Sequence, residues 1–485
     1  MGLRNIHYLN GMNEQIDSLL RPLARFLKDF IFFEVSIGGV QFPLIVMWLA
    51  VAALFFTVYF GFINIRGFGH AFRLLRGDFS TGKEAGEISH FQALSTALSG
   101  TVGIGNIGGV AIVISLGGPG ALFWLVVAGF LSMSTKFTEC ILGVMYRQQH
   151  TDGTVSGGPM YYLEYGLKER GLPWLARPLG VFYAAAIVIG CLGIGNMFQA
   201  NQAFEQFVFM IGETQNNFSP NGLVFGILIA VAVALVILGG LRRIAQVTSR
   251  LVPFMGGLYL LVGLIIIFLN ASALPGVFRA IFTNAFAPEA IGGGFMGVLI
   301  LGFQRAVFSN EGGLGSAAIA HSAVRTEEPV TEGYVALMEP FIDTVVISSI
   351  TALVILTTVY EPSMTGDVQG VQLTAKAFGD TLSWSVIPLS IVAMLFAYST
   401  IISWSYYGLK GWTYLFGKSK PLQLLFKIIF LLFVVLGCTI QLDAVLDISD
   451  ALVFIVAIPN IIGLYILAPV VRRALRDYQT KIKDY

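Results

Sequence analysis

The sequence predicts an all-α integral membrane protein, and three observations carry that prediction. Of its 485 residues, 56% are hydrophobic and only 12% are charged, about half the charge fraction of an ordinary soluble domain. The apolar residues gather in runs of about 20, the length a helix needs to cross a hydrocarbon core roughly 30 Å thick, and not in the short alternating segments of a membrane barrel. Two of these runs are interrupted by clusters of glycine and polar residues.

In chain order, residues 19–31, LLRPLARFLKDFI, place apolar side chains at helical spacing among Arg21, Arg25 and Lys28, the pattern of an interfacial helix. No cleavable signal peptide or myristoylation signal is expected in the segment 1–41 that contains it. Eleven candidate spans follow, at about 42–63, 90–116, 119–146, 178–209, 222–240, 246–269, 292–322, 334–358, 386–408, 421–441 and 447–470. An odd number puts the termini on opposite sides. With the C-terminus inside, the inner connections and tail carry 20 Lys and Arg and the outer ones 6, so the N-terminus is expected outside and the C-terminus in the cytoplasm of a cell (inner or plasma) membrane. The inner segment 147–177 has room for a short helix from Pro159 to Arg170, either a gate element or an amphipathic linker.

In span two, LSGTVGIGNIGGVA (98–111) holds five glycines and Asn106. An unpaired backbone group in lipid costs several kcal/mol, so irregular backbone survives at that depth only where it is buried in protein or lines a cavity. A similar interruption, FSNEGGLGSAAIAHSA (308–323), lies five spans later. An odd separation makes the two segments antiparallel, as an inverted repeat of five helices requires, and such paired breaks point to a transporter binding site. Small residues allowing close helix packing are the alternative. GIGN also recurs at 193–196, so the tetrapeptide alone decides little.

Other chemistries find little support. The net charge of +1 and the lack of a basic run or aromatic ladder argue against nucleic acid. Cys140, Cys191 and Cys438 lie far apart in apolar runs and read as small buried hydrophobes, and the five scattered histidines suggest neither zinc nor haem. No nucleophile-and-base set or phosphate loop marks an enzyme, and no organic cofactor is expected. Intramembrane charges are costly. Lys136 and Glu139 are three apart and able to neutralise one another, while Arg305 is a candidate partner for Glu339 or Asp343. A structural network and a coupling role both remain open for them.

The strings ALSTALSGTVGIGNIGGVAIVISLGGPGALFW (93–124), SGGPMYYLEYGL (156–167) and FSNEGGLGSAAIAHSA (308–323) resemble the alanine or glycine:cation symporters, the sodium:alanine symporter family. The resemblance runs from about residue 42 to near the end. It implies a leucine-transporter-like fold, with an extra helix (42–63) before two inverted five-helix repeats (90–269 and 292–470) and a cytoplasmic tail (471–485). It also implies sodium-coupled import of a small neutral amino acid, alanine or glycine. Coupling to protons, or a gated channel or sensor, is the alternative reading of the same breaks.

Within that frame, N–H groups between Gly103 and Gly108, Gly105 among them, suit a substrate carboxylate at the start of a half-helix. Carbonyls near Phe308 and Ser309 suit the ammonium. Asn106 serves either sodium or substrate, and Gln199 either the site or a helix contact. Phe308 and Trp404 are bulky enough to wall a small pocket or simply to fill core. Ser399, Thr400 and Ser403 share one helix face, with Trp404 a turn beyond Thr400. The resemblance places sodium between the Ser99 and Val102 carbonyls and the Ser399 and Thr400 hydroxyls, with Thr400 also near the substrate. Hydroxyls bonding back to the i−4 carbonyl are the alternative.

Overall fold

The computed structural model describes residues 22, 26, 29–37, 40–77, 85–211, 221–287, 294–361, 370–439 and 442–483. The interfacial helix expected at 19–31 lies largely outside the described residues. A hairpin of β1 (Glu34–Ile37) and β2 (Val40–Pro43) leads into α1 (Leu44–Tyr59), followed by the amphipathic α2 (Phe68–Arg76). Ser89 then starts the first interrupted segment. Its hydroxyl accepts from the Gln92 N–H while the Gln92 side chain accepts from the Ser89 N–H, a reciprocal cap that fixes where α3 (His90–Thr101) begins.

Helix α3 ends where Val102 turns extended (ψ 93°). A π-helical turn, Gly105–Gly109, then leads into α4 (Val110–Gly117), bent 54° from α3. Next come α5 (Gly120–Met145), the small hairpin β3 (Gln148–Gln149) and β4 (Val155–Ser156), and α6 (Pro159–Glu169), which is the short helix expected from Pro159. A second π-helical turn, Gly193–Met197, joins α7 (Pro173–Leu192) to α8 (Phe198–Ile211). The chain continues through α9 (Gly222–Ile237), α10 (Gly240–Leu269) and α11 (Leu274–Ala285).

The second interrupted segment is α12 (Gly294–Asn310) with α13 (Ser316–His321). It is followed by α14 (Pro329–Ala336), a third π-helical turn (Phe341–Ser348), α15 (Ser349–Thr358) and α16 (Val371–Thr381). Three long helices end the chain, α17 (Val386–Phe416), α18 (Lys420–Gly437) and α19 (Leu442–Lys483).

This is a multi-pass, essentially all-helical membrane protein. Among the described residues seven helices are long and apolar enough to cross a bilayer, and the bent pair α3–α4 makes an eighth. The eleven predicted spans each contain helix, yet α1 and α9, of 16 residues each, fall short of a continuous crossing, and the predicted span 292–322 is split. Packing brings α5 against α12, α17 against α7 and α8, and α3 against α10 and α17, so both breaks lie in the middle of the bundle.

Candidate functional site

A break at membrane depth has to find partners for the backbone groups it releases. At the first break, the Gly103 N–H donates to Asn106 Oδ1 (2.9 Å), and the Gly100 carbonyl accepts from Trp404 Nε1 (3.2 Å). The Thr96 carbonyl accepts from Ser403 Oγ (3.0 Å) and the Ile107 carbonyl from Thr374 Oγ1 (3.0 Å).

At the second break, Glu311, Gly313 and Gly315 all take positive φ (55°, 94° and 77°). For Glu311, a residue with a Cβ, that geometry costs about 1–3 kcal/mol. Around it, Gly312 N–H donates to Asn310 Oδ1 (2.9 Å) and Gly315 N–H to Glu139 Oε1 (3.1 Å). The Gly313 carbonyl accepts from Asn460 Nδ2 (2.8 Å) and the Leu314 carbonyl from Tyr183 OH (2.9 Å). Side chains of α5, α7 and α19 therefore replace the missing helical ladder.

Most of the residues singled out in the sequence converge between the two breaks. A methyl group placed on Gly103 would lie 2.9 Å from Thr400 Oγ1 and 3.3 Å from Gln199 Oε1, so only glycine admits both side chains at that distance. Gln199 Nε2 donates to the Ile194 carbonyl (3.3 Å), while its Oε1 is buried with no hydrogen-bond partner among the described residues. That leaves a buried acceptor beside a hydroxyl, an arrangement that suits an ammonium or a metal cation. The ring of Phe308 closes the side nearest Gly105 (a methyl there would be 3.7 Å from it) and meets Phe198 edge to face.

Asn106 is the hinge between the two segments. From the first break its Nδ2 reaches Ser309 Oγ (3.0 Å), the Asp343 carbonyl (3.0 Å) and Asp343 Oδ1 (2.8 Å). Ser309 Oγ and Thr344 Oγ1 both donate to Asp343 Oδ2, each at 2.7 Å. Three donors on one carboxylate are what an ionised group collects when it is buried.

On α17, Ser399 Oγ and Thr400 Oγ1 donate to the Phe396 carbonyl (2.9 and 3.0 Å), the local bonding weighed as the alternative to sodium. The two readings are compatible, because a hydroxyl that gives its one proton to a carbonyl keeps its lone pairs for a cation. Ser399 Oγ also lies 3.5 Å from the Ser99 carbonyl, Ser99 Oγ pairs with Ser403 Oγ, and the extended ψ of Val102 takes its carbonyl out of the helical ladder. Trp404 is wedged into the core beside the first break. Its indole is held by the Gly100 carbonyl, and a methyl on Gly195 would come within 2.1 Å of it.

The buried charges pair differently from expectation. Lys136 bonds Glu339 across the bundle (Nζ to Oε1, 3.0 Å), whereas Glu139 accepts from Gly315 and Asn460. Neighbouring helices present closer carboxylate geometry to Lys136 than its own helix does three residues on. Arg305 lies over the Phe308 ring (5.7 Å), not against Glu339 or Asp343. Two of the scattered histidines also meet, since His90 and His321 each bond one oxygen of the buried Glu332. In the sequence Asp343 stands out only as a costly intramembrane charge with Arg305 as a candidate partner. Its place beside Asn106 depends on the π-helical turn at Phe341–Ser348, for which the sequence offered no cue beyond the acidic residue itself.

On the face that carries β3 and β4, Arg147 donates to the carbonyls of Ala85 (2.8 Å), Ser322 (3.0 Å), Val324 (2.6 Å) and Thr326 (2.7 Å). It thereby ties the segment entering α3 to the segment leaving α13, which meet in a single bridge between Ile88 and Val324. Backbone bonds from Glu87 N–H to the Ala323 carbonyl and from Arg325 N–H to the Ile88 carbonyl, each 2.8 Å, run alongside.

Comparison with known proteins shows the family of the chain. The sodium/alanine symporter AgcS of Methanococcus maripaludis is 40% identical over 432 residues, covering 88% of this chain and 92% of its own. The amino-acid carrier protein AlsT of Bacillus subtilis is 33% identical over 474 residues, covering 97% and 94%. Among solved structures, MhsT in complex with L-phenylalanine superposes with a TM-score of 0.56 at 16% identity, over 80% of this chain and 89% of its own, a likeness of fold alone. Residues 31–485 match the sodium:alanine symporter family, and with the two breaks, the helical fold and these relatives in agreement, the chain belongs to that family.

Proposed function

We propose that this chain is a sodium-coupled symporter that imports a small neutral amino acid, alanine or glycine, by alternating access. The observation that carries the proposal is the meeting of the two interrupted segments at Asn106, Ser309 and Asp343, with Gly103, Gln199 and Thr400 beside them. In this reading the substrate carboxylate takes N–H groups at the start of the bent half-helix near Gly105, because the Gly103 N–H expected to serve it is held by Asn106 Oδ1. Its ammonium faces the Gln199 oxygen, the carbonyls near Phe308 and Ser309, and the negative charge of Asp343. Phe308 and Trp404 are assigned to the side-chain end of the pocket, where their bulk keeps it small.

Sodium, a hard cation that prefers oxygen, is assigned to the Ser99 and Val102 carbonyls with the Ser399 and Thr400 hydroxyls. Thr400 also faces Gly103, so the ion and the substrate share one wall, and binding of each raises the affinity for the other by reciprocal linkage. A membrane potential of about 100 mV supplies roughly 2.3 kcal/mol per sodium, enough to concentrate a neutral solute about 40-fold.

The membrane frame belongs to the same proposal. Residues 42–63 form an extra helix, 90–269 and 292–470 the two inverted repeats, and 471–485 a cytoplasmic tail, with the N-terminus outside. The excess of Lys and Arg on the Arg147 face supports that orientation.

Uptake of radiolabelled alanine into proteoliposomes tests the core of the proposal. Accumulation should require an inward sodium gradient, and counterflow should be saturable. Accumulation that survives removal of sodium but collapses with the proton gradient would transfer the coupling to protons. Flux without saturable counterflow would mark a pore.

A further inference from the structure

Away from the two breaks, on the face that carries Arg147, a cavity of about 480 Å³ opens between the turn joining α9 to α10, the β3–β4 hairpin and the facing ends of α17 and α18. Four cations line it, Arg242, Lys410, Lys418 and Lys427, against two carboxylates, Glu87 and Asp152. Both carboxylates are already engaged. Glu87 Oε1 accepts from the Val155 N–H (2.9 Å), and Asp152 Oδ1 accepts from the Thr154 N–H (2.9 Å) and hydroxyl (2.6 Å). Lys410 Nζ is held by the Val155 carbonyl and Ser156 Oγ, while Lys427 and Arg242 have no hydrogen bond or ion pair among the described residues. The cavity thus carries two positive charges in excess.

Two further features favour an anion there. The 30-residue helix α10 starts in the cavity wall at Gly239 and Gly240 with no side-chain cap among the described residues, which puts its positive end beside the space. Tyr406, 4% exposed, lines the same wall, and its buried hydroxyl has no hydrogen-bond partner among the described residues. A donor hydroxyl, an open helix N-terminus and unpaired cations together form the donor set of a phosphoryl group. The volume is more than a single phosphate fills. Leu238 before the cavity, and Leu424, Leu425 and Ile428 beside Lys427, are exposed apolar side chains along which an acyl chain can run.

We propose that this cavity binds a phosphoryl group, supplied by the headgroup of an anionic phospholipid in the inner leaflet. The leaflet rests on the orientation proposed above. The binding itself does not depend on what the protein transports. A basic pocket between helices at the membrane surface has the chemistry to select anionic over zwitterionic headgroups.

The full chain, purified and reconstituted in phosphatidylcholine nanodiscs, is titrated with phosphatidylglycerol. Native mass spectrometry and the shift in melting temperature serve as readouts. Phosphatidylglycerol should be retained in preference to phosphatidylcholine. Lys427→Gln should weaken its binding about fivefold and Arg242→Gln with Lys427→Gln about 25-fold. Lys427→Arg should stay near wild type, as should Lys420→Gln, outside the cavity lining; their melting temperatures control for folding. A second arm uses inorganic phosphate. If phosphate alone protects the protein with the same dependence on Arg242 and Lys427 and phosphatidylglycerol does not, the phosphoryl site stands but its ligand is soluble. Phosphatidylglycerol held equally by wild type and the double variant, or neither probe bound, overturns the proposal.

Discussion

Gly103→Ala is the sharpest probe of where the solute sits. The added methyl would stand 2.9 Å from Thr400 Oγ1 and 3.3 Å from Gln199 Oε1, against an ordinary contact of at least 3.4 Å. Neither neighbour retreats freely. Thr400 is fixed on α17 by its bond to the Phe396 carbonyl and by the Ser99–Ser403 contact one turn along, and Gln199 by its bond to the Ile194 carbonyl. Overpacking of this kind costs about 1–3 kcal/mol, which corresponds to a loss of amino-acid affinity of about 5- to 150-fold if it falls on the occupied state. Equilibrium binding of labelled alanine to purified protein in saturating sodium measures it directly, with a melting curve to confirm that the fold persists. Thr400→Ala in the same chain removes the nearer atom, so the double variant should lose less than the two single losses combined. An affinity within twofold of wild type for Gly103→Ala, or strict additivity in the pair, would place the solute elsewhere.

The other sites separate by what each readout measures. Thr400→Val keeps the shape and removes the lone pairs, so half-maximal sodium for alanine uptake should rise about tenfold or more while the maximal rate stays within a few-fold; an unchanged sodium titration removes Thr400 from the ion site. Lys136→Met strands the buried Glu339 carboxylate and should cost about 3–5 kcal/mol of stability, seen as a large fall in melting temperature. Adding Glu339→Gln should restore most of it, and a lack of recovery would mean that Lys136 acts through other groups. Arg147→Gln should release the segments that flank α3 and α13, so amide exchange at Glu87 and Arg325 should accelerate about tenfold or more. Unaltered exchange there would assign the tie to the backbone bonds alone.

What could be read in advance followed the strength of the local signal. The breaks were legible because glycines and an asparagine inside an apolar run contradict the environment the run itself requires, and only a buried or cavity-lining site resolves that conflict. The hydroxyl face of α17 was legible because the spacing of Ser399, Thr400 and Ser403 fixes a direction on a helix. The partners of charges were not. Lys136 and Glu139 are neighbours in sequence, yet Lys136 pairs with Glu339 from 203 positions away, and no period in a chain reports which helices will face each other. The same reason hid the meeting of His90 and His321 on Glu332.

The recurring GIGN string shows how a weak signal acquires meaning in three dimensions. Both copies fall at π-helical turns, Gly105–Gly109 and Gly193–Met197, and in each the asparagine amide bonds outside its own helix: Asn106 to Ser309 and Asp343, Asn196 to the Phe430 carbonyl (2.7 Å). A π-helical turn inserts a residue into the helical ladder and frees backbone groups, which small residues allow other elements to approach. At the second copy the element that approaches is Trp404, seated on Gly195, and Trp404 in turn holds the Gly100 carbonyl one turn before the first break. The two turns therefore support one another through a single indole. A change at Gly195 should be felt at the proposed substrate site without touching the substrate, and Gly195→Ala, whose methyl has no room beside Trp404, is expected to lower alanine affinity as Gly103→Ala does. Unlike Gly103→Ala, it should be partly rescued by Trp404→Phe, because the smaller ring gives the methyl its space.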